Sequence, residues 1–335
     1  MIILGIETSC DDTAISLINE RGEVLSNVLS SQEIFHKDFG GIVPEIASRK
    51  HSELIGYVIT EALKIAGKSL EDIDLISVTK GPGLVGSLLV GVETAKSISF
   101  ALAKPLIGIN HLEGHIYSLF LGDSRLNKRE NPFPMIILIV SGGHTELVLM
   151  EGHLKYKVIG KTRDDAAGEA LDKFARFLGY GYPGGPIIEK LGTIGNYEFH
   201  KFPRLSFKGS PYEFSFSGLK TAGIYFLEKN PNVIKNNLVD IAASFEKAVV
   251  DILVERTLRT VRDYKVKGIG VVGGVSANKR LRETLTIESP VEVFLPEKIF
   301  STDNAAMIAL AGYRHFERGD KDNLLLDVFS RLEIK

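Results

Sequence analysis

The chain opens on an apolar run, residues 2–6, which ends at Glu7 in a turn of small and acidic residues before a second apolar run to residue 18. That pattern predicts two strands joined by a polar turn. It returns at residues 135–150, where residues 135–138 match residues 1–4 one for one and residues 145–149 echo residues 13–17 after a turn two residues shorter. Each half then continues alike. Apolar strand 75–80 passes through the glycine-rich turn 81–86 into an apolar helix over 87–103, and strand 268–272 passes through turn 273–278 into a helix from Lys279. A repeat of half the chain is too long for a solenoid and predicts a duplicated α/β domain. Strands that run through glycines into helix starts present backbone N–H groups and a helix dipole to a phosphate, so a duplicated pair is expected to bind nucleotide between its halves. The repeat divides the chain into an N-terminal lobe, 1–134, and a C-terminal lobe, 135–335, with a helical or hairpin insertion over about 160–235.

The intervening segments add chemistry. Residues 105–109 read as a strand ending at Asn110, a good N-cap, with Glu113 at the third helical position as in a capping box. His111 and His115 lie four apart, so on a helix they sit about 40° apart on one face and can grip one metal ion. Glu113 falls at about 200°, away from that face, unlike the base of the HExxH peptidase motif. Two unrelated histidines remain the plain alternative. Residues 164–178 form an amphipathic helix pattern, residues 179–185 stop it, and Pro186 opens another helix. Asp172 and Glu189 could accept ribose hydroxyls or simply face water. Residues 199–220 interleave basic and aromatic side chains, a pattern that fits phosphates and unstacked bases or a hairpin with buried aromatics. The helix start at 301–309 carries Asp303, which could steady the first turn or complete a His-His-Asp metal set.

Composition narrows the class. Apolar residues make up 44% of 335, ample for a core, and 40 basic against 42 acidic residues leave a formal charge of −2. Nucleic-acid binding would therefore need a local patch. The single cysteine, Cys10, excludes a disulfide framework and fits a cytoplasmic setting. The first residues read as a strand rather than a signal peptide, and no uncharged run reaches membrane-spanning length.

Seven motifs, in order, resemble one family. ETSCDD at 7–12, GPGLVGS at 81–87, NHLEGH at 110–115, VSGGHTE at 140–146, DDAAGE at 164–169, GGVSAN at 273–278 and TDNAA at 302–306 are similar to the bacterial TsaD family, the tRNA N6-adenosine threonylcarbamoyltransferase subunits. FGGIVPEIASR at 39–49 points to the bacterial branch. The resemblance implies an actin-like, sugar-kinase-like (ASKHA) duplicated fold of two lobes with a nucleotide cleft between them. It implies transfer of threonylcarbamoyl from threonylcarbamoyl-adenylate to N6 of adenosine 37 in tRNAs reading codons that begin with A. It implies one Fe2+ or Zn2+ held by His111, His115 and Asp303. Substrate contacts carry over to Ile139, Val140, Ser141, Gly142, Gly143, Asp172, Gly185, Asn278 and Glu189, the last standing where many relatives have aspartate.

The chemistry fits these residues. The adenylate is a mixed anhydride with a good leaving group, so the task is to position and polarise its carbonyl; backbone N–H groups at 141–143 could steady the phosphate. The delocalised N6 amine needs a base, for which Asp11 in the first hairpin turn is the candidate; orienting a metal-bound water or capping the turn are its other uses. Expected partners are tRNA, a TsaB-like paralogue, a TsaE-like small ATPase and a separate synthase that supplies the adenylate, with no membrane. The apolar helix over 88–102 is either core or part of a partner interface. Three alternatives stay open: an ATP-dependent small-molecule kinase of the same fold, a metalloprotease, and a non-enzymatic nucleotide-binding scaffold.

Overall fold

The computed structural model describes residues 1–36, 39–204 and 209–334. They form two compact units, each built on a five-stranded mixed sheet.

In unit 1 the sheet contains β1 (Ile2–Glu7), β2 (Asp12–Asn19), β3 (Val24–Ser31), β4 (Leu75–Gly81) and β5 (Leu106–Asn110), in the order β3-β2-β1-β4-β5. β1 and β2 are antiparallel with Ile6 opposite Ile15, whereas β1, β4 and β5 run parallel. The parallel strands need crossovers, and the helices supply them. The short α1 (Glu33–His36) and α2 (Pro44–Ala66) precede β4, and α3 (Val85–Leu102) follows it. α2 buries Ala47, Ile55, Val58, Ile59 and Ala62, spaced to make one apolar stripe against Leu4, Ile6, Ile15 and Leu17. α3 resolves the choice left by its apolar composition in favour of a split: Leu88, Val92 and Ala95 are buried, while Val85, Leu89 and Phe100, the last 76% exposed, face outward. By length and hydropathy alone α3 could cross a membrane.

Unit 2 repeats the topology. β6 (Met135–Val140), β7 (Thr145–Gly152), β8 (Lys155–Lys161), β9 (Gly268–Val272) and β10 (Glu292–Phe294) are ordered β8-β7-β6-β9-β10, with β6 and β7 antiparallel and β6, β9 and β10 parallel. Between β8 and β9 lie α5 (Ala167–Phe177), α6 (Gly184–Gly192), α7 (Ser217–Lys229), α8 (Pro231–Asn236) and the long α9 (Leu238–Tyr264); α10 (Lys279–Glu288) joins β9 to β10. Among its described residues the insertion consists of α5, α6, α7 and α8 joined by irregular segments, with no hairpin of its own.

The units cut the chain differently from the chain-order division at 134/135. Unit 1 takes Met1–Asn131, His153–Lys155 and everything from Pro296, because α11 (Ala305–Arg318) packs on β1, β4 and α4 (His111–Tyr117). The packing is close enough to need glycine: a Cβ on Gly5 of β1 would lie 2.1 Å from Ala305 O, and one on Gly312 of α11 would lie 1.8 Å from Ser77 Oγ.

Candidate metal centre and glycine turns

β5 ends where Asn110 turns its side chain back to accept from the N–H groups of Leu112, at 2.9 Å, and Glu113, at 3.4 Å. That cap starts α4 and sets His111 and His115 one turn apart, both buried, with ring centroids 4.7 Å apart. Asp303 sits just before α11, whose own cap is Asn304, accepting from Met307 N–H at 2.9 Å. Asp303 is thus not the cap. Its Oδ1 lies 3.2 Å from His115 Nε2 and 3.6 Å from His111 Nε2, and one ligand atom from each residue falls within 4.8 Å of the others. Ligands about 2.0–2.1 Å from a tetrahedral ion stand roughly 3.3 Å apart, which the two Asp303 separations match. Neither ring nitrogen of His115, 1% exposed, has a hydrogen-bond partner among the described residues. Buried polar atoms are rarely left so, and a cation would satisfy one of them.

One neighbour of this set gave no signal in the sequence. Glu7, at the end of β1 and 1% exposed, has Oε2 at 2.9 Å from His111 Nδ1, accepts from Thr79 Oγ1 at 2.6 Å, and takes the Ser9 N–H on Oε1 at 2.5 Å. Burial pushes the His111 imidazole down, but the Glu7 and Asp303 carboxylates override it and raise His111 to about 9; the same pairing outweighs burial at Glu7 and lowers it. Asp11, in the turn after β1, and Asp12, the first residue of β2, feel Asp303 as well. Burial raises both, Asp12 to about 7, and the Asp303 charge adds to each shift.

Glu113 does not complete the expected capping box. Its carboxylate meets His315 Nε2 of α11 at 2.9 Å, and His315 Nδ1 meets Asp320 at 2.7 Å. Glu113 therefore joins α4 to α11 through His315.

In unit 2 the glycine turns that end β6 and β9 lie side by side, since Ile139 pairs with Val272. Gly273 has φ +91°, and a Cβ there would come 2.5 Å from Val140 O. Of the backbone donors expected at 141–143, the Ser141 N–H is already given to His144 O at 2.8 Å, which leaves Gly142 and Gly143, both exposed. Asn278 caps α10 through Leu281 N–H at 2.9 Å and donates Nδ2 to the buried Glu246 at 2.7 Å. Glu189 accepts from Lys279 N–H at 2.9 Å, so Glu189, Asn278 and Glu246 draw α6, α9 and α10 together. Asp172 accepts from Gly184 N–H at 2.7 Å and Gly185 N–H at 3.0 Å at the start of α6; burial raises its carboxyl despite those bonds. Asp11, His111, His115 and Asp303 thus belong to unit 1, and Ile139 to Gly143, Asp172, Gly185, Glu189 and Asn278 to unit 2.

In the basic and aromatic segment the aromatics take the buried alternative, without forming a hairpin among the described residues. Phe202, Phe214 and Phe216 are buried in the core of unit 2 and offer no face to a base. Asp164 holds the start of α7 by accepting from Phe216 N–H at 2.8 Å and from Ser215 Oγ. Lys201 and Arg204 are exposed, Arg204 pairing with Asp251 at 3.2 Å, and Lys208 lies outside the described residues.

Residues 23–310 match the family described as TsaD: tRNA N6-adenosine threonylcarbamoyltransferase. A protein named tRNA N6-adenosine threonylcarbamoyltransferase from Caldicellulosiruptor saccharolyticus is 50% identical, with 95% of this chain and 94% of that one aligned. One of the same name from Thermosipho africanus is 48% identical over 100% of both. Among solved structures, T.kodakarensis HypF superposes with a TM-score of 0.62 at 13% identity, over 95% of this chain and 48% of that one. Component A of the Acidaminococcus fermentans (R)-2-hydroxyglutaryl-CoA dehydratase gives 0.55 at 16%, over 94% and 98%. At such identities the likeness is one of fold, and it agrees with the duplicated, two-lobed actin-like architecture.

Proposed function

Since the chain belongs to the TsaD family of tRNA N6-adenosine threonylcarbamoyltransferases, we propose that it moves threonylcarbamoyl from threonylcarbamoyl-adenylate to N6 of adenosine 37, in tRNAs reading codons that begin with A, at a site holding Fe2+ or Zn2+ on His111, His115 and Asp303. The observation that carries the metal assignment is the convergence of those three side chains within 4.8 Å, with neither ring nitrogen of His115 hydrogen-bonded among the described residues. Bound there, either ion would supply Lewis acidity and open coordination positions beside an acyl group.

The remaining work falls to the chain itself. The turn at Ile139, Val140, Ser141, Gly142 and Gly143 would receive the adenylate phosphate through the N–H groups of Gly142 and Gly143. Asp172, Gly185, Glu189 and Asn278 would hold its nucleoside, with Glu189 and Asn278 kept in place by the same bonds that start α10. N6 attacks the carbamoyl carbon, the C–N bond forms, the C–O bond to phosphate breaks, and AMP leaves. Asp11 takes the N6 proton. The exposed face of α3, at Val85, Leu89 and Phe100, suits a TsaB-like paralogue, and a TsaE-like ATPase and a separate adenylate synthase complete the expected set, acting in the cytoplasm.

The other readings lose ground on specific observations. A peptidase would need Glu113 at the metal, and Glu113 is tied to His315. A kinase or a scaffold leaves the His-His-Asp set without a purpose. The test is incorporation of labelled threonine into tRNA by this protein with synthase, ATP, bicarbonate and partners. Incorporation that His111→Ala abolishes supports the proposal; none at all, with metal and partners bound, refutes it.

A further inference from the structure

We propose that Glu7 is a positioning residue of the metal centre, fixing His111 as a ligand through Nε2. The inference rests on the metal reading above but concerns a residue to which neither the motif resemblance nor the spacing of the histidines assigns a role. Glu7 ends a strand whose preceding four residues are buried, and β2 and β4 flank it on both sides. A carboxylate in such a place must find donors or be excluded from the fold. It finds three: Ser9 N–H on Oε1, Thr79 Oγ1–H from β4 on Oε2, and His111 Nδ1 at 2.9 Å on Oε2. With two donors anchoring it from its own turn and from β4, the carboxylate is a fixed acceptor. An imidazole facing a fixed acceptor carries its proton on Nδ1, because the other tautomer would set lone pair against lone pair. In the neutral form that a ligand requires, the Nε2 lone pair of His111 then points to the side where Asp303 Oδ1 stands 3.6 Å away. Ser9 Oγ, 3.1 Å from the same Nδ1, is placed on the ring's outer edge rather than at the ligand side.

The partner histidine makes the contrast. His115 has no hydrogen bond on either ring nitrogen among the described residues, and no carboxylate stands at its Nδ1 as Glu7 does at His111; its near neighbour is Asp303 Oδ1, 3.2 Å from Nε2 on the ligand side. Carboxylates behind ligating histidines typically raise metal affinity 10–100-fold. A structural ion pair that merely tolerates burial would have no such effect on metal.

Three variants of the full chain separate geometry from charge. Glu7→Gln keeps an oxygen for Thr79 and Nδ1–H while losing charge and the Ser9 bond. Glu7→Asp keeps charge but is one methylene short of His111, and Glu7→Ala removes both. Zn2+ affinity is read by competition with a chromophoric chelator, and the ligand field by the visible absorption of Co2+ added alone. Affinity should fall less than about tenfold in Gln with the Co2+ spectrum kept, and about 10–100-fold in Asp and Ala with the spectrum altered. Asp retaining more affinity than Gln, or all three within about twofold of the parent, overturns the assignment; if Ala fails to fold, the order of Gln and Asp still decides. His111→Ala is the control for the underlying site. If it too binds Zn2+ normally, the metal reading fails; if it alone loses Zn2+, only the role of Glu7 does.

Discussion

Replacing Gly5 by alanine tests how α11 sets the metal centre. The new Cβ would lie 2.1 Å from Ala305 O and 3.0 Å from both Ala305 C and Ala309 Cβ. Close C···O contacts stop at about 3.3 Å, so the first turn of α11 must retreat from β1 by roughly 1 Å. The obstacle is backbone, which cannot rotate away. Overpacking of this kind costs about 1–3 kcal/mol, and the lower unfolded-state entropy of alanine returns about 0.5–1 kcal/mol. A net loss of about 1–2 kcal/mol, a factor of roughly 5–30 in the folded-to-unfolded ratio, is expected in urea titrations. Asp303 lies two residues before Ala305, and its 3.2 Å and 3.6 Å separations from the histidines match what a bound ion requires, so the same retreat should weaken Zn2+ at least about tenfold. Gly56 is the control. It lies inside α2 with nothing within 4 Å of a Cβ, and Gly56→Ala should stabilise by about 0.5–1 kcal/mol with Zn2+ affinity unchanged. Should Gly5→Ala behave like Gly56→Ala in both assays, the account of α11 as a fixed support for Asp303 is wrong.

Two further substitutions address the chemistry and the electrostatics. Asp11→Ala should keep metal and adenylate binding yet lose about 10²–10⁴ in transfer rate, as expected for a general base; transfer at the parental rate would remove Asp11 from that role. Burial, with Glu189 adding and Asn278 opposing, lifts Glu246 from 4.5 to about 7, so between those values the folded chain holds a proton that the unfolded chain has released. Stability from this group therefore falls as pH rises from about 4.5 to 7, and Glu246→Gln should gain relative to the parent across that window; parallel urea midpoints at pH 5 and 7.5 would contradict it.

What could be read from the sequence is what repeats or is local. The β-hairpin, strand, glycine turn and helix recur in one order because each lobe needs the same crossovers, and the strand orders β3-β2-β1-β4-β5 and β8-β7-β6-β9-β10 match. The two histidines were legible because Asn110 and a four-residue spacing are enough to define one helix face. Asp303 carried no local mark beyond a helix start, and only the family pattern joined it to His111 and His115. Nothing in the apolar pattern of residues 305–312 says that this helix packs on β1 rather than on the sheet that precedes it in the chain.

Where the local pattern left a residue several uses, a distant element chose among them. Glu113 fits a capping box on local grounds, yet it pairs with His315, 202 residues away, because in a buried helix a carboxylate that can meet an imidazole gains more than one that returns to its own first turn. The aromatics at 202, 214 and 216 fit a base-stacking platform until α9 arrives to cover them. Local signals of this kind name a residue's options, and burial by a distant element chooses among them. Glu7 is the sharpest instance. In isolation it is a charge that ends an apolar strand, and its meaning depends on Thr79 and on His111, 104 residues on. A buried strand that ends in a carboxylate instead of a turn residue implies donors elsewhere in the chain. In a sequence that also offers two histidines on one helix face, the metal centre is the place to look for them.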